Sequence, residues 1–281
     1  MRRLILAAIV TVFLSMTCVS ASAEESDAKK KAEDLPWEKA SINLGSFVSS
    51  SSSNIRLSAK GVGVGIDVEE ALGLDTSTTV FRLGGTWRFS DNRRHRADLT
   101  WFALRRDGNK NIGQDIVIDG VTYPTGTRVD TGFDLDVYKA AYSYSFFQDD
   151  RMDVGAGIGL YVMPIRFEFR ASGLLAGNVS ESVTAPLPVF GLRADFALTP
   201  KWLIKSSIDL FYLEYEQFKG AVYDTMVGVE YKAFKRVGFG LAVENFNVAV
   251  EAEGEDYPEI DFKGKIDYRY LGAMLYAKVY F

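Results

Sequence analysis

One histidine, His95, and one cysteine, Cys18, set narrow limits on the chemistry open to this chain of 281 residues. A single imidazole can serve as a base or as a nucleophile's partner, but it cannot build a multi-histidine metal site or a pair of catalytic imidazoles. A single thiol excludes a disulfide framework and any multi-cysteine zinc or iron–sulfur centre. Carboxylates and bases remain. Asp67, Glu69, Glu70 and Asp75 form one acidic group, and Glu251, Glu253, Glu255, Asp256, Glu259 and Asp261 form another. Hard divalent cations take carboxylate oxygens, yet the plainer expectation for both groups is a solvated loop. No phosphate-loop, metalloprotease, nucleophile-elbow or EF-hand pattern occurs. The glycines at 61, 63 and 65 and at 155, 157 and 159 lack dinucleotide-loop spacing and read as strand glycines that relieve crowding. The expectation is a chain with no cofactor, no resident metal and no enzymatic activity.

The elements that position these groups follow from the texture of the chain. Arg2 and Arg3, an apolar run from Leu4 to Leu14 and the small-x-small triplet Ala21-Ser22-Ala23 predict a secretory signal peptide over residues 1–23, cleaved after Ala23. Its removal leaves 258 residues with 30 basic against 37 acidic side chains, a net charge of −7. Such an acidic chain is a poor partner for nucleic acid, which needs a basic surface. Residues 24–36 carry eight charges in thirteen positions and predict a polar periplasmic lead-in. From residue 37 to 281 the texture is constant, and no uncharged apolar run reaches the 18 residues a spanning helix needs.

The period in that region is two. Phe81, Leu83, Trp87 and Phe89 alternate with Arg82, Thr86 and Arg88, and Ala97, Leu99 and Trp101 alternate with Arg96, Asp98 and Thr100. The same rhythm returns over 138–146, 152–162, 190–198, 202–212, 223–231 and 265–281, which predicts strands with one apolar and one polar face. Short turns at 90–94, 148–150, 199–200 and 234–236 alternate with longer polar loops at 67–77, 106–131, 164–184 and 251–264, plus a short one at 216–220. Within 106–131, Asp119-Gly120 predicts the turn of a small hairpin. Ten strands are expected, with eight or twelve as alternatives. The serine run Ser49–Ser53 shifts the apolar parity and predicts a bulge in the first strand.

A soluble sandwich would also alternate. Here, however, the apolar faces end in aromatics beside the turns, among them Trp87, Phe146, Phe196, Trp202, Tyr231 and Phe281, as rings at a membrane interface do. The chain closes on Tyr276-Ala277-Lys278-Val279-Tyr280-Phe281, apolar at every second place. This ending resembles the last strand of the Gram-negative outer-membrane β-barrel superfamily, and the general resemblance spans residues 37–281. It departs at Val279, where many members carry an aromatic. The resemblance implies an all-β, closed antiparallel up-and-down transmembrane barrel in the outer membrane. It implies contact with outer-membrane lipid and lipopolysaccharide, and recognition of Val279 and Phe281 by the barrel-assembly machinery. A monomer is expected.

With the polar faces turned inward, the lumen holds Arg82, Arg88, Arg96, Lys139, Arg193, Lys205, Lys232 and Lys278 against Asp98, Asp153, Asp195, Asp209, Asp224, Glu230 and Glu244. Near balance favours pairing over the single-sign rings of a selective pore. Counting from the turn at Thr199–Pro200 places Asp195 opposite Lys205, and counting across 216–220 brings Lys205 opposite or diagonal to Glu230. These three are expected to form one cluster, read as a structural ion-pair network or, alternatively, as a gate near the turn end. The functional expectation is a structural barrel or a narrow passage for small solutes. The rival readings are an outer-membrane enzyme, or a surface adhesin acting through 106–131 and 164–184.

Overall fold

The computed structural model describes residues 35–57, 66–118, 121–173, 177–215, 218–252 and 264–281. The predicted signal peptide, most of the lead-in, the Asp119-Gly120 turn and most of the acidic loop at 251–264 lie outside the described residues.

Ten long strands form the wall. They are β1 (Ala40–Leu57), β3 (Ser77–Arg88), β4 (His95–Asn111), β7 (Arg128–Gln148), β8 (Met152–Ser172), β9 (Gly177–Ala197), β10 (Trp202–Tyr215), β11 (Phe218–Tyr231), β12 (Val237–Ala252) and β13 (Gly264–Tyr280). Short pieces sit between them: β2 (Ile66–Asp67), α1 (Val68–Leu72), β5 (Ile116–Ile118) and β6 (Val121–Tyr123). Each long strand pairs antiparallel with the next, and β13 pairs with β1 from Ser41↔Tyr280 to Leu57↔Gly264, which closes the barrel. Closure leaves no free edge at that junction, as a lipid-exposed sheet requires. The short turns lie where the sequence places them, with Phe89 N–H donating to the His95 carbonyl and Leu198 N–H to the Trp202 carbonyl.

Two expectations are corrected. The register of β1 is unbroken through Ser49–Ser53, so no bulge lies there. The bulge is on β7 between Ser145 and Phe147, and it leaves both Phe146 and Phe147 exposed. The second correction explains the first. The regions expected as loops at 106–131 and 164–184 are largely strand, because β4, β7, β8 and β9 continue through them. In that upper part the faces exchange character. On β8, Ile158 and Leu160 point outward beside inward Gly157 and Gly159. Further along, Arg166 and Arg170 are exposed while Ile165, Phe167 and Phe169 are buried. On β1 the same exchange puts the serines Ser49, Ser51 and Ser53 inside and Ser50 and Ser52 outside.

This inversion follows from the two solvents. Where hydrocarbon touches the wall, apolar side chains face out. Beyond it water touches the wall, so polar side chains face out and apolar ones fill the interior. The outer face of that upper wall carries Arg105 paired with Asp136 at 2.7 Å. Inside, Leu104, Val129, Phe133, Leu135, Met163 and Phe169 are at most 0% exposed and form one core with Leu72 of α1. The β5–β6 hairpin joins that core, with the Tyr123 ring 5.0 Å from Phe169.

Candidate functional site in the barrel interior

The interior is built in layers, starting at the turn end. Pro36, Trp37 and Glu38 precede β1 and tuck into the mouth. Trp37 is fully buried, its indole N–H donates to the Asp149 carbonyl at 2.8 Å, and its own carbonyl accepts from Arg93 at 2.8 Å. The Lys205 ammonium lies 5.5 Å from the Trp37 ring centre. Glu38 turns inward and bonds Lys278 at 2.6 Å.

Above this strap lies an ion-pair layer. Asp153 is held by Arg88 at 2.7 Å and by Arg193 at 2.9 Å. Asp195 faces Lys205 at 3.1 Å and Arg96 at 3.4 Å, and Arg96 also pairs with Asp98 at 2.8 Å. Glu230 accepts from Lys278 at 3.2 Å, Tyr276 at 3.2 Å and Tyr280 at 2.8 Å. Glycines give these long side chains room. A Cβ on Gly155 would stand 2.9 Å from the Arg193 guanidinium, and one on Gly240 would overlap the Tyr276 ring.

Asp195 and Lys205 are cross-strand partners, as counting from the turn suggests. Glu230 is diagonal to Lys205, which stands opposite Gly228, as counting suggests, but among the described residues no direct ion pair joins the two. The link runs through Glu38 instead, which bonds Lys278 and lies 4.0 Å from Lys205. Glu38 was missed from sequence because it precedes the first alternating run. It adds an eighth carboxylate to the seven read from the strands, which equals the eight bases.

Next comes a cavity of ≈ 160 Å³, lined by Arg82, Lys139, Arg193, Asp209 and Asp224 among others. That volume holds several waters. Its upper rim pairs Lys139 with Asp209 and Arg82 with Glu244, while the Tyr161 hydroxyl donates to Asp224 at 2.6 Å. Over this rim the lumen is crossed by rings. Phe47 stacks on Tyr270 at 5.4 Å, Phe246 stacks on Tyr270 at 5.3 Å, and Phe102 meets Phe47 edge-on at 5.4 Å. All four are at most 2% exposed. The expectation of a polar interior therefore holds for the turn-side half, while the loop-side half is mainly apolar, with Ser49, Ser51, Ser53 and Arg106 as its buried polar groups among others.

The remaining groups fall elsewhere. His95 sits at the turn end, its Nδ1 sharing a 2.8 Å hydrogen bond with the Tyr142 hydroxyl and its ring 5.1 Å from Tyr144. Glu69, expected in a solvated acidic loop, turns into the barrel and holds the buried Arg106 at 2.5 Å. Among the described residues no three His, Cys, Asp or Glu side chains are grouped to hold a metal ion. Val279 and Phe281 are exposed on the outer face, and the Phe281 N–H closes on the Ala40 carbonyl at 2.9 Å.

No family model and no curated protein sequence matches the chain. Among solved structures it is similar to the outer-membrane protease OmpT from Escherichia coli, at 10% identity, covering 86% of this chain and 96% of that one with a TM-score of 0.53. It also aligns with Ail, the attachment invasion locus protein of Yersinia pestis, at 12% identity, covering 85% of this chain and 99% of that one with a TM-score of 0.36. The likeness to OmpT is one of fold, a closed antiparallel β-barrel.

Proposed function

We propose that this chain is an integral outer-membrane protein, with its short turns toward the periplasm, and that its barrel is closed at rest. Its role in this reading is structural: it anchors a tall, β-structured rim above the bilayer rather than conducting solutes. The observation that carries the reading is the double seal of the lumen. Trp37 and the ion pairs fill the turn end, and Phe47, Phe102, Phe246 and Tyr270 cross it above. Unpaired buried charge is costly, so a network with matched partners holds its geometry. The neighbouring structure's name denotes a protease, but here the only imidazole lies at the turn end, away from the long strands' outer rim. That placement gives no imidazole base where an outer-surface hydrolase would use one.

Reconstitution into planar bilayers tests the reading. The refolded chain is expected to leave the membrane without single-channel steps; steady open-channel current in the unmodified protein contradicts it.

A second reading has one specific observation behind it. The cavity of ≈ 160 Å³ lies above the ion-pair layer, whose Arg193, Asp195, Lys205 and Glu230 line it, so loosening of that layer together with displacement of Trp37 and Glu38 would open it to the turn side. In a gated passage, Lys205→Met would raise conductance by weakening the hold on Asp195 and Glu38. An unchanged silent state in that variant removes the gate. Assembly is read from the last strand, with Val279 and Phe281 offered to the barrel-assembly machinery and the barrel inserted as a monomer among lipopolysaccharide.

A further inference from the structure

The inward charges balance as a whole but not layer by layer. At the upper rim of the ≈ 160 Å³ cavity, Glu244 pairs with Arg82 and Asp209 with Lys139. Asp224 shares that rim and has no ion-pair partner among the described residues. Its hydrogen bond comes from the Tyr161 hydroxyl at 2.6 Å, and that one phenol proton is shared with Asp209 at 3.0 Å. Three carboxylates therefore stand against two bases. The compensating base is far off. Lys232 follows the last residue of β11, donates to the Pro36 carbonyl and likewise has no ion-pair partner among the described residues. Eight positions along the chain separate it from Asp224, about 27 Å at roughly 3.4 Å per residue.

Unsatisfied oxygens gather at the same place. Asp224 Oδ1, Glu244 Oε1 and the Tyr270 hydroxyl are buried and have no hydrogen-bond partner among the described residues. The register puts them on the inward face of three neighbouring strands. Phe246 of β12 stands opposite Asp224 of β11 on one side and opposite Tyr270 of β13 on the other, and Glu244 lies two places along β12 from Phe246. All three residues are at most 6% exposed, and Asp224 lines the cavity.

A buried carboxylate without a counter-charge is costly, and the phenol has no second proton to give. Carboxylate and hydroxyl oxygens suit a hard cation. One uncompensated negative charge calls for one positive charge, so a monovalent ion neutralises the rim where a divalent ion would overshoot. We propose that Asp224, with Glu244 and Tyr270 beside it, holds a monovalent alkali cation at this rim. The cavity has room for the waters that complete its shell. The proposal rests on the closed barrel described above, which traps the ion.

The test uses the full chain refolded in lipid vesicles, at a pH where carboxylates are ionised. Sodium chloride is compared with the chloride of the bulky cation N-methylglucamine at equal ionic strength, and urea unfolding is the readout. At about nine times its dissociation constant, sodium is expected to raise the folded-to-unfolded ratio about tenfold. Asp224→Asn keeps an acceptor for Tyr161 and removes the charge, so its unfolding is expected to be the same in both salts. Equal midpoints for the unmodified chain in the two salts overturn the proposal and leave the orphan oxygens to water or a proton. A sodium effect that survives Asp224→Asn overturns it too. Desalting after refolding in radioactive sodium reads the closure separately. Retention of a single sodium per chain, lost in Asp224→Asn, supports the site and the closed barrel together. Stabilisation by sodium without retention supports the site and defeats the closed barrel. No sodium effect in a barrel that stays silent in planar bilayers defeats the site alone.

Discussion

Glu38 precedes the first strand and Lys278 lies in the last, and their side chains meet inside the barrel at 2.6 Å. The chain is therefore locked end to end twice, once by the β1–β13 ladder in the wall and once by this pair within it. Both side chains are at most 7% exposed.

Removing one member leaves a buried charge without its partner. Glu38→Gln is expected to cost about 3–5 kcal/mol, while the double change Glu38→Met with Lys278→Met is expected to cost much less. Urea unfolding in lipid vesicles, followed by tryptophan fluorescence, measures both. Equal losses would show that the pair contributes through shape rather than charge.

Phe246 is fully buried in the ring layer and stacks on Tyr270. Phe246→Ala is expected to destabilise the barrel by about 3–5 kcal/mol, and to leave it without conductance, because the ion-pair layer and the strap persist below. Channel steps in this variant would show that the rings alone seal the lumen.

Above the bilayer, Asp115 accepts from the Thr125 amide at 2.8 Å and from its hydroxyl at 3.0 Å. These bonds, the amide foremost, hold the Asp115 carboxyl below its ordinary value. A carboxyl lowered on folding supports the structure above its unfolded pKa and loses that support as pH falls through the folded one. The protection of the Thr125 amide, the slowing of its exchange relative to the intrinsic rate at the same pH, is therefore expected to fall on strong acidification, and to be low at neutral pH in Asp115→Asn. Protection that stays the same across that pH range, or in Asp115→Asn, would remove the role.

After β13, Phe281→Ala, which keeps both backbone bonds to Ala40, is expected to lower the amount of assembled barrel in outer-membrane fractions severalfold. Its folding in detergent should be unaffected, because the residue is 69% exposed and packs little. Equal loss in both settings would make it a structural residue instead of an assembly signal.

The strand number, the short turns and the inward set of charges were legible because a strand facing lipid on one side and a charged lumen on the other must alternate. Asp195 opposite Lys205 was legible because a tight turn fixes register by counting. Glu38 was not, since a strap outside the strands has no period. The upper wall was misread as loop for a physical reason. Around Phe167-Glu168-Phe169-Arg170 the alternation persists while the solvent outside changes from lipid to water. Polarity alone therefore looked like a solvated connection. The same exchange, not a bulge, explains the parity shift at Ser49–Ser53.

That exchange of faces is the claim on which the rest depends, and β8 tests it most directly. The only cysteine of the chain is Cys18, so a single cysteine introduced in turn at positions 154–170 of a chain starting at residue 24 carries a unique spin label. Accessibility to oxygen and to a water-soluble nickel chelate is then read in lipid vesicles. The account predicts that even positions from Val154 to Val162 see oxygen, and that even positions from Arg166 to Arg170 see nickel. The odd positions Ile165, Phe167 and Phe169 should see neither. Oxygen access that continues unchanged past Arg166, or nickel access at Phe167 and Phe169, would contradict it.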